Sequence, residues 1–389
     1  MNFSAISPGG GTGRQLLNLL VQAGVVGVVA FVSWSLFQNT QANLEARNIA
    51  SGFGFMSVEG GLPINDTLFP YDPSDTYGYA FFLGVVNTLY VASLGIVLST
   101  LIGVIVGCAR VSSNWLVSRL ATIYVEILRN VPLLLTLFFT YAVVLTSLPH
   151  PRHSLKPLAG VFLNNRGIYL PNPVPHTGFW FVAAAFLLAL VLVFIVFLIS
   201  KNKREISGKG LPTLRIAFGL IIVLPSLIFF LSPSVMDFEI ASLKGFNYRG
   251  GLVLRPEFTA LMTGLVLYTA AFIAENVRSG IQSVNKGQIE AAGALGVKST
   301  LTMRKIILPQ ALRVSIPATT NDYTSLVKNS SLAVAIGYPD MVSIGGTIIG
   351  QNDQAIEIIG LWMAVYLTIN LIISSVMNWL NSRVQVVER

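Results

Sequence analysis

The apolar positions of this chain fall in long unbroken runs rather than in alternating stripes. Residues 15–43 carry no charge, and 16–37 is long enough, at about 20 residues per span, to cross a bilayer as a helix. Further runs at about 81–106, 123–145, 179–199, 214–231, 258–274, 314–336 and 358–380 bring the expected helices to eight. The first run exceeds the apolar core of a secretory signal and lacks a small-residue cleavage site, so it reads as a retained helix. The seventh is unusually polar. No segment between the runs has the pattern of a soluble domain.

Composition agrees with lipid as the solvent. The 389 residues are 53% hydrophobic and 11% charged, against about 25% charged in soluble domains. Mean hydropathy is +0.69. The formal net charge of +8 reads as cytoplasmic loops rich in Lys and Arg, not as nucleic-acid binding. With the N-terminus inside, sixteen of the 25 Lys and Arg fall in inner segments and seven in outer ones, which sets both termini in the cytoplasm. The single cysteine, Cys108, excludes an internal disulfide and a cysteine-based metal cluster, and reads as a small apolar residue at a helix end. His150, His153 and His176 all lie in the outer segment 147–177. The His-Pro-Arg-His run has no cysteine or carboxylate beside it and reads as a surface loop, so no metal site is expected.

The inner segment 282–313 has its own logic. Glu290-Ala291-Ala292 is expected to open a short helix, with the carboxylate near the favourable N-terminal end. Ala291, Ala292 and Ala294 give a smooth face, while Gly293 and Gly296 keep the backbone accessible and permit a turn. Met303, Ile306, Ile307 and Leu308 make an apolar stripe, and Pro309 is expected to mark a break before the next helix. The segment is suited to docking a partner and contains no catalytic constellation.

In this segment the chain resembles the permease subunits of type I ATP-binding-cassette importers. Their cytoplasmic signature is Glu-Ala-Ala, three residues, Gly, nine residues, Ile, one residue, Leu-Pro. Glu290, Ala291, Ala292, Gly296, Ile306, Leu308 and Pro309 meet every spacing. Tyr124-Val125-Glu126 followed by Arg129-Asn130-Val131-Pro132-Leu133-Leu134 is similar to a stretch of the polar amino acid permeases. Asn130-Val131 stands there where Gly-Thr is usual, as in the larger general L-amino acid subfamily. Asn87-Thr88-Leu89 and the 274–280 stretch, Ala-Glu-Asn-Val-Arg-Ser-Gly, also resemble this family. The likeness covers about 81–141 and 258–383.

The resemblance implies an all-α integral membrane protein with about eight transmembrane helices: five core helices, an N-terminal helix and a two-helix insert. Residues 1–80 would form the tail, first helix and outer segment. Residues 81–385 would form the transmembrane domain, interrupted by the insert at about 147–255, with 282–313 as the coupling loop. It implies a multi-pass subunit of the bacterial inner membrane that carries amino acids. Its implied partners are an ATPase dimer that binds ATP and Mg²⁺, a periplasmic amino-acid-binding protein, and a second permease subunit, a homologue favoured over an identical copy. The chain itself is expected to hold no cofactor and no ATPase site, since it has no phosphate-binding Gly-x-x-x-x-Gly-Lys-Ser/Thr; Gly208-Lys209-Gly210 lacks the upstream glycine and the hydroxyl. The rival reading, an ion-coupled secondary transporter, predicts paired interrupted helices in two halves, and no such repeat is visible.

Two further groups carry expectations. Glu126 and Arg129, three apart, read either as snorkelling interface anchors or as a pair on one helix face that orders an inner gate together with Pro132, which kinks the helix, and Glu275. The polar seventh run is expected to line the substrate path through Asn321, Asp322, Thr324, Ser325, Lys328, Asn329, Ser330 and Ser331. A charge at mid-membrane costs ~2.5–3.5 kcal/mol on insertion scales, so such residues face a cavity or a partner. Lys328 could receive an amino acid's carboxylate and Asp322 its amine, or Lys328 could be scaffold.

Overall fold

A computed structural model describes residues 11–46, 52–207, 212–232 and 234–384; the side chains of 11–18, 44, 45, 201, 204–207 and 214 are not described. The glycine-rich tail before residue 11, Arg47 and Gly208-Lys209-Gly210 lie outside the described residues. In chain order the helices begin with α1 (Gly11–Ala46), α2 (Tyr77–Arg110), α3 (Trp115–Asn130) and α4 (Leu133–Ser147). Strands β1 (Phe162–Asn164), β2 (Gly167–Leu170) and β3 (Asn172–Pro175) follow, then α5 (Thr177–Ser207) and α6 (Thr213–Leu231). Next come β4 (Met236–Glu239), β5 (Ser242–Lys244), β6 (Asn247–Arg249) and β7 (Leu252–Leu254). The chain closes with α7 (Pro256–Gln282), α8 (Lys286–Ala294), α9 (Ser299–Thr302), α10 (Leu308–Asn329), α11 (Met341–Asn352) and α12 (Ala355–Val384). The helical architecture expected is present, with an addition the sequence did not show: both polar segments flanking α5 and α6 pair into short antiparallel ladders, in the orders β1-β2-β7, β3-β4 and β5-β6.

Among the described residues, α1, α2, α5, α7 and α12 contain segments long and apolar enough to cross a bilayer, and two bent pairs raise the spans to seven. The apolar part of α6 is shorter, so the expected eight do not all reach spanning length. The first bent pair is α3 with α4, turned by 110°. A single kinked helix was expected over 123–145. Instead Val131 is extended at φ −97°, ψ 131°, as the residue before a proline prefers, and Pro132 opens a new helix. In the second pair, α10 passes through a 3-10 stretch (Ser330–Ile336) to Gly337 at φ 80°, before α11 begins at Met341.

The chain divides into two units, residues 1–90 with 339–379, and 91–338 with 380–389; the division falls within α2 and within α12. In the first unit a core of Phe55, Leu62, Phe81, Met341, Ile348 and Ile358 gathers around the start of α2. Asn87 is buried there, and its Nδ2 donates to the carbonyls of Asp66 (2.8 Å) and Pro339 (2.9 Å). The buried Thr88 hydroxyl accepts from the Met341 amide at 3.0 Å. α11 was not expected from the sequence. It is only twelve residues long, and Asp340 caps it by accepting from the Ser343 amide at 2.8 Å.

In the second unit α7 is the central helix and packs against α3, α4 and α10. The far half of α2 meets it through Gly103 and Gly107, a small-xxx-small spacing that lets two backbones approach. A Cβ at Gly107 would lie 2.7 Å from Val277 Cβ and 2.8 Å from the Ala274 carbonyl. α5 and α6 pair with each other and leave Trp180, Phe194 and Phe230 exposed, as lipid-facing surfaces do. Gly107→Leu is therefore expected to overpack this seam and destabilise by ~1–3 kcal/mol, while Gly219→Leu, where nothing lies within 4 Å, changes little. Thermal unfolding midpoints in detergent check the pair: only the first should drop by several degrees.

Candidate functional site

The segment after α7 folds as the sequence suggests in outline and differs in detail. Asn285 caps α8, its side chain accepting from the Gly287 amide at 2.8 Å. Glu290 sits in the middle of α8, not in its first turn, which corrects the expected dipole contact. The helix ends because Gly296 takes φ 70°, a left-handed conformation that glycine adopts without Cβ strain. Val297 N–H then donates to the Ala292 carbonyl and Gly296 N–H to that of Gly293, both at 3.0 Å, the paired bonds of a Schellman cap. Glu290, Ala291, Gly293 and Leu295 are exposed, Leu295 at 82%. Ala292 and Ile307 are buried, Ile306 is half-buried, and Met303 and Leu308 are exposed, so the expected stripe is split between the two faces.

No break occurs at Pro309. α9 runs through a π turn (Met303–Ile307) into α10, whose first turn contains the proline, where a missing N–H costs nothing. Gln310 Nε2 donates to Gln288 Oε1 at 2.6 Å and ties α8 to the foot of α10.

Charged side chains of α2, α3 and α7 converge on Glu275. Arg278 donates to it through Nε (3.1 Å) and Nη2 (2.5 Å), Arg110 hydrogen-bonds its Oε2, and Arg129 approaches to 3.9 Å. Glu126 pairs with Arg110 at 3.7 Å and not with Arg129, so the expected i,i+3 pair is corrected. Arg129 instead covers the Phe272 ring, 5.3 Å from its centroid. The Arg110 side chain is only 8% exposed and Glu275 19%, whereas Glu126 is 58% exposed. The sequence reading missed Arg110, which lies at the end of a long apolar helix like any loop cation. Arg278 stood in the quoted 274–280 stretch, four positions past Ala274, where helical spacing puts it beside Glu275.

Above this cluster α7 and α10 enclose a cavity of about 260 Å³ walled by Tyr268, Phe272, Asp322, Ser325 and Asn329. Asp322 Oδ2 accepts from Asn276 Nδ2 at 2.6 Å. The positions 322, 325 and 329 recur at helical spacing and so share one face. Lys328 is exposed and does not line the cavity; neither do Asn321, Thr324, Ser330 and Ser331. Much of the polarity of α10 is consumed locally. The hydroxyls of Thr320, Thr324, Ser330 and Ser331 donate to carbonyls three or four residues back, and Ser315 donates to the Asn276 carbonyl at 3.0 Å. The histidines stay in the strand-bearing segments, where His176 meets Asp237 at 2.8 Å and His150 meets Asn165 at 3.4 Å.

A polytopic membrane chain with a polar cavity between its helices and an exposed helix at their foot defines a permease-type subunit. Residues 208–386 match the family of binding-protein-dependent transport system inner membrane components. A relative from Escherichia coli (strain K12), YhdX, whose name gives amino-acid ABC transporter permease as a provisional assignment, is 48% identical over 94% of this chain and 93% of its own. The general L-amino acid transport system permease protein AapQ of Rhizobium johnstonii is 44% identical over 94% and 91%. The glutamate/glutamine/aspartate/asparagine transport system permease protein BztB of Rhodobacter capsulatus is 36% identical over 91% and 90%. This chain belongs to the amino-acid ABC transporter permease family.

The Glu275 cluster makes a specific energetic prediction. Removing one member of a buried ion pair leaves the other uncompensated, at ~3–5 kcal/mol, while replacing both by apolar residues is close to neutral. Glu275→Met, which strips Arg110 and Arg278 of their shared carboxylate, is expected to lower the thermal midpoint strongly; Arg110→Met, which leaves Glu275 bonded to Arg278, costs less, and the double variant should recover part of the Glu275→Met loss. Glu126→Gln, at the exposed edge, should shift it little. A double-mutant cycle on midpoints in detergent checks this; additive losses would contradict it.

Proposed function

We propose that this chain is the membrane-spanning subunit of an ATP-driven, binding-protein-dependent amino acid importer of the bacterial inner membrane. Both termini lie in the cytoplasm, following the basic bias of the inner segments. An ATPase dimer, carrying ATP and Mg²⁺, takes the exposed face of α8. A periplasmic binding protein delivers the amino acid, and a second, homologous permease subunit completes the path.

The observation that carries the reading is α8: a capped helix outside the spans, with Ala291, Gly293 and Leu295 uncovered and no helix of this chain's second unit burying Glu290. Exposed apolar surface of this kind marks a docking site. The Gln288–Gln310 bond and the unbroken helical path from Ser299 to Asn329 give a displacement of α8 a rigid route to Asp322, Ser325 and Asn329. On this reading the cavity between α7 and α10 is a station on the substrate path. Asp322 receives the amine, and the Glu126–Arg129–Glu275 region beneath it, with the Pro132 break, forms the inner gate. Lys328 acts as scaffold or as a partner contact.

Reconstitution with the partner subunits tests this. Uptake of radiolabelled amino acids should require ATP and ignore proton and sodium ionophores. Glu290→Lys and Gly296→Asp should assemble normally but lose uptake at least about tenfold while ATP hydrolysis persists, a coupling loss of ~1.4 kcal/mol or more. Normal uptake in both would remove α8 from the coupling role. Within the path, Asp322→Asn should raise the apparent KM by about tenfold, the size of one lost charge-assisted hydrogen bond, while Lys328→Met leaves it unchanged. The reverse order would exchange their roles.

A further inference from the structure

A second cavity, about 460 Å³, lies where the paired strands meet the start of α7. Its wall includes Arg166, Arg255, Glu257, Asn165, Tyr169 and Tyr248. β2 and β7 run antiparallel with Ile168 opposite Leu254, a register that carries Arg166 and Arg255 to adjoining ends of one ladder. Gly167, at φ 131°, permits the approach: a Cβ there would collide with the Leu254 carbonyl and lie 3.3 Å from Arg255 Cα. Among the described residues neither guanidinium has a hydrogen-bond or ion-pair partner. The one carboxylate, Glu257, is held by the Tyr141 hydroxyl, which donates to its Oε1 at 3.1 Å.

The rest of the wall is rigid. The Tyr169 and Tyr248 rings lie 5.2 Å apart, and Tyr169 O–H donates to Asn247 Oδ1 at 3.1 Å. Burial raises the Tyr169 phenol above its ordinary pKa, while Arg166 and Arg255 pull it down, so both cations are near enough to be felt there. Asn165 Oδ1 is buried without a partner. Two unpaired cations side by side repel each other, and an anion between them relieves that repulsion. Guanidinium matches carboxylate in a planar two-bond geometry that few other anions use as well.

We propose that this cavity binds an α-amino acid bearing a second carboxylate. Arg166 and Arg255 take the two carboxylates, Glu257 takes the ammonium group, and the tyrosine rings cover the methylenes. The inference rests on the reading of the chain as part of an amino acid importer, and adds a site on the strand-bearing segments, separate from the cavity between α7 and α10.

Equilibrium binding of radiolabelled L-glutamate to the assembled transporter in nanodiscs, without the binding protein, tests it. Arg166→Gln and Arg255→Gln should each weaken binding about tenfold or more without moving the thermal midpoint, because neither side chain has a partner to lose. Succinate, which has no amine, should compete about tenfold less well than L-glutamate, and Glu257→Gln should narrow that gap. Equal affinity for L-glutamate and L-glutamine, or arginine variants that bind L-glutamate like the wild type, would overturn the proposal. So would arginine variants that release the binding protein while L-glutamate binding stands, since the arginines would then be docking residues. ATP-driven uptake separates the two readings. If the wild type imports amino acids but these binding results fail, only this site falls; if it imports none, the importer reading falls.

Discussion

Glu275 holds three arginines that approach from different helices, and the second unit is organised around that carboxylate. Arg110 comes from the end of α2, Arg129 from the end of α3, and Arg278 from the same helix one turn on. A charge near lipid is tolerable only with its counter-charge beside it. The ends of α2 and α3 are therefore held to α7 electrostatically as well as by packing. Glu126 lies at the open side of the cluster and adds a second, weaker hold on Arg110. Three guanidiniums against two carboxylates leave the cluster with a positive excess directly beneath the cavity that contains Asp322.

The same demand for local satisfaction shapes the polar helix α10. Hydroxyls that return to their own helix carbonyls cost no lipid-exposed hydrogen-bonding potential, so serine and threonine can be frequent there without forming a water-filled face. What stays available is the narrower set formed by Asp322, Ser325 and Asn329, with Asn276 fixing the carboxylate. Close packing by Gly103 and Gly107 brings α2 near enough for Arg110 to reach Glu275 at all. Small residues and charges thus act together: the first set the interhelical distance, and the second use it.

Helix ends do the remaining work. Val131-Pro132 stops a helix through the extended backbone that precedes a proline, and Gly337 and Gly296 through a left-handed backbone. The first turns α4 away from α3, the second ends the 3-10 stretch that follows α10, and the third ends α8. Of the three, the turn at Gly296 was legible in the sequence, Pro132 only as a kink, and the stop at Gly337 was not anticipated.

Eight runs are legible in hydropathy because lipid imposes one requirement, about 20 apolar residues, that no partner can supply from elsewhere; among the described residues they give five spans, or seven when each bent pair is one. The expected run at 123–145 became two helices, since the preference of Val131 before proline is visible in sequence but the angle it yields is set by packing. α11 escaped because twelve residues lie below the length at which a helix announces itself. The strands escaped because ladders of three and four residues are too short to show an alternating pattern, and two of the four pairings, β2 with β7 and β3 with β4, join segments far apart in the chain. The short helix in the segment 282–313 was legible because its signals are local, a small-residue face and a glycine at the stop, whereas its cap, Asn285, was not read from the sequence. The charged and polar residues of α3, α7 and α10 were legible only as a set. Which carboxylate met which arginine, and which polar residues of α10 faced the cavity, depended on the rotation and approach of α2, α3, α7 and α10. Those are fixed by interhelical packing, which no single segment encodes, so the sequence determined the class and the solvent of this protein and the tertiary structure decided its pairings.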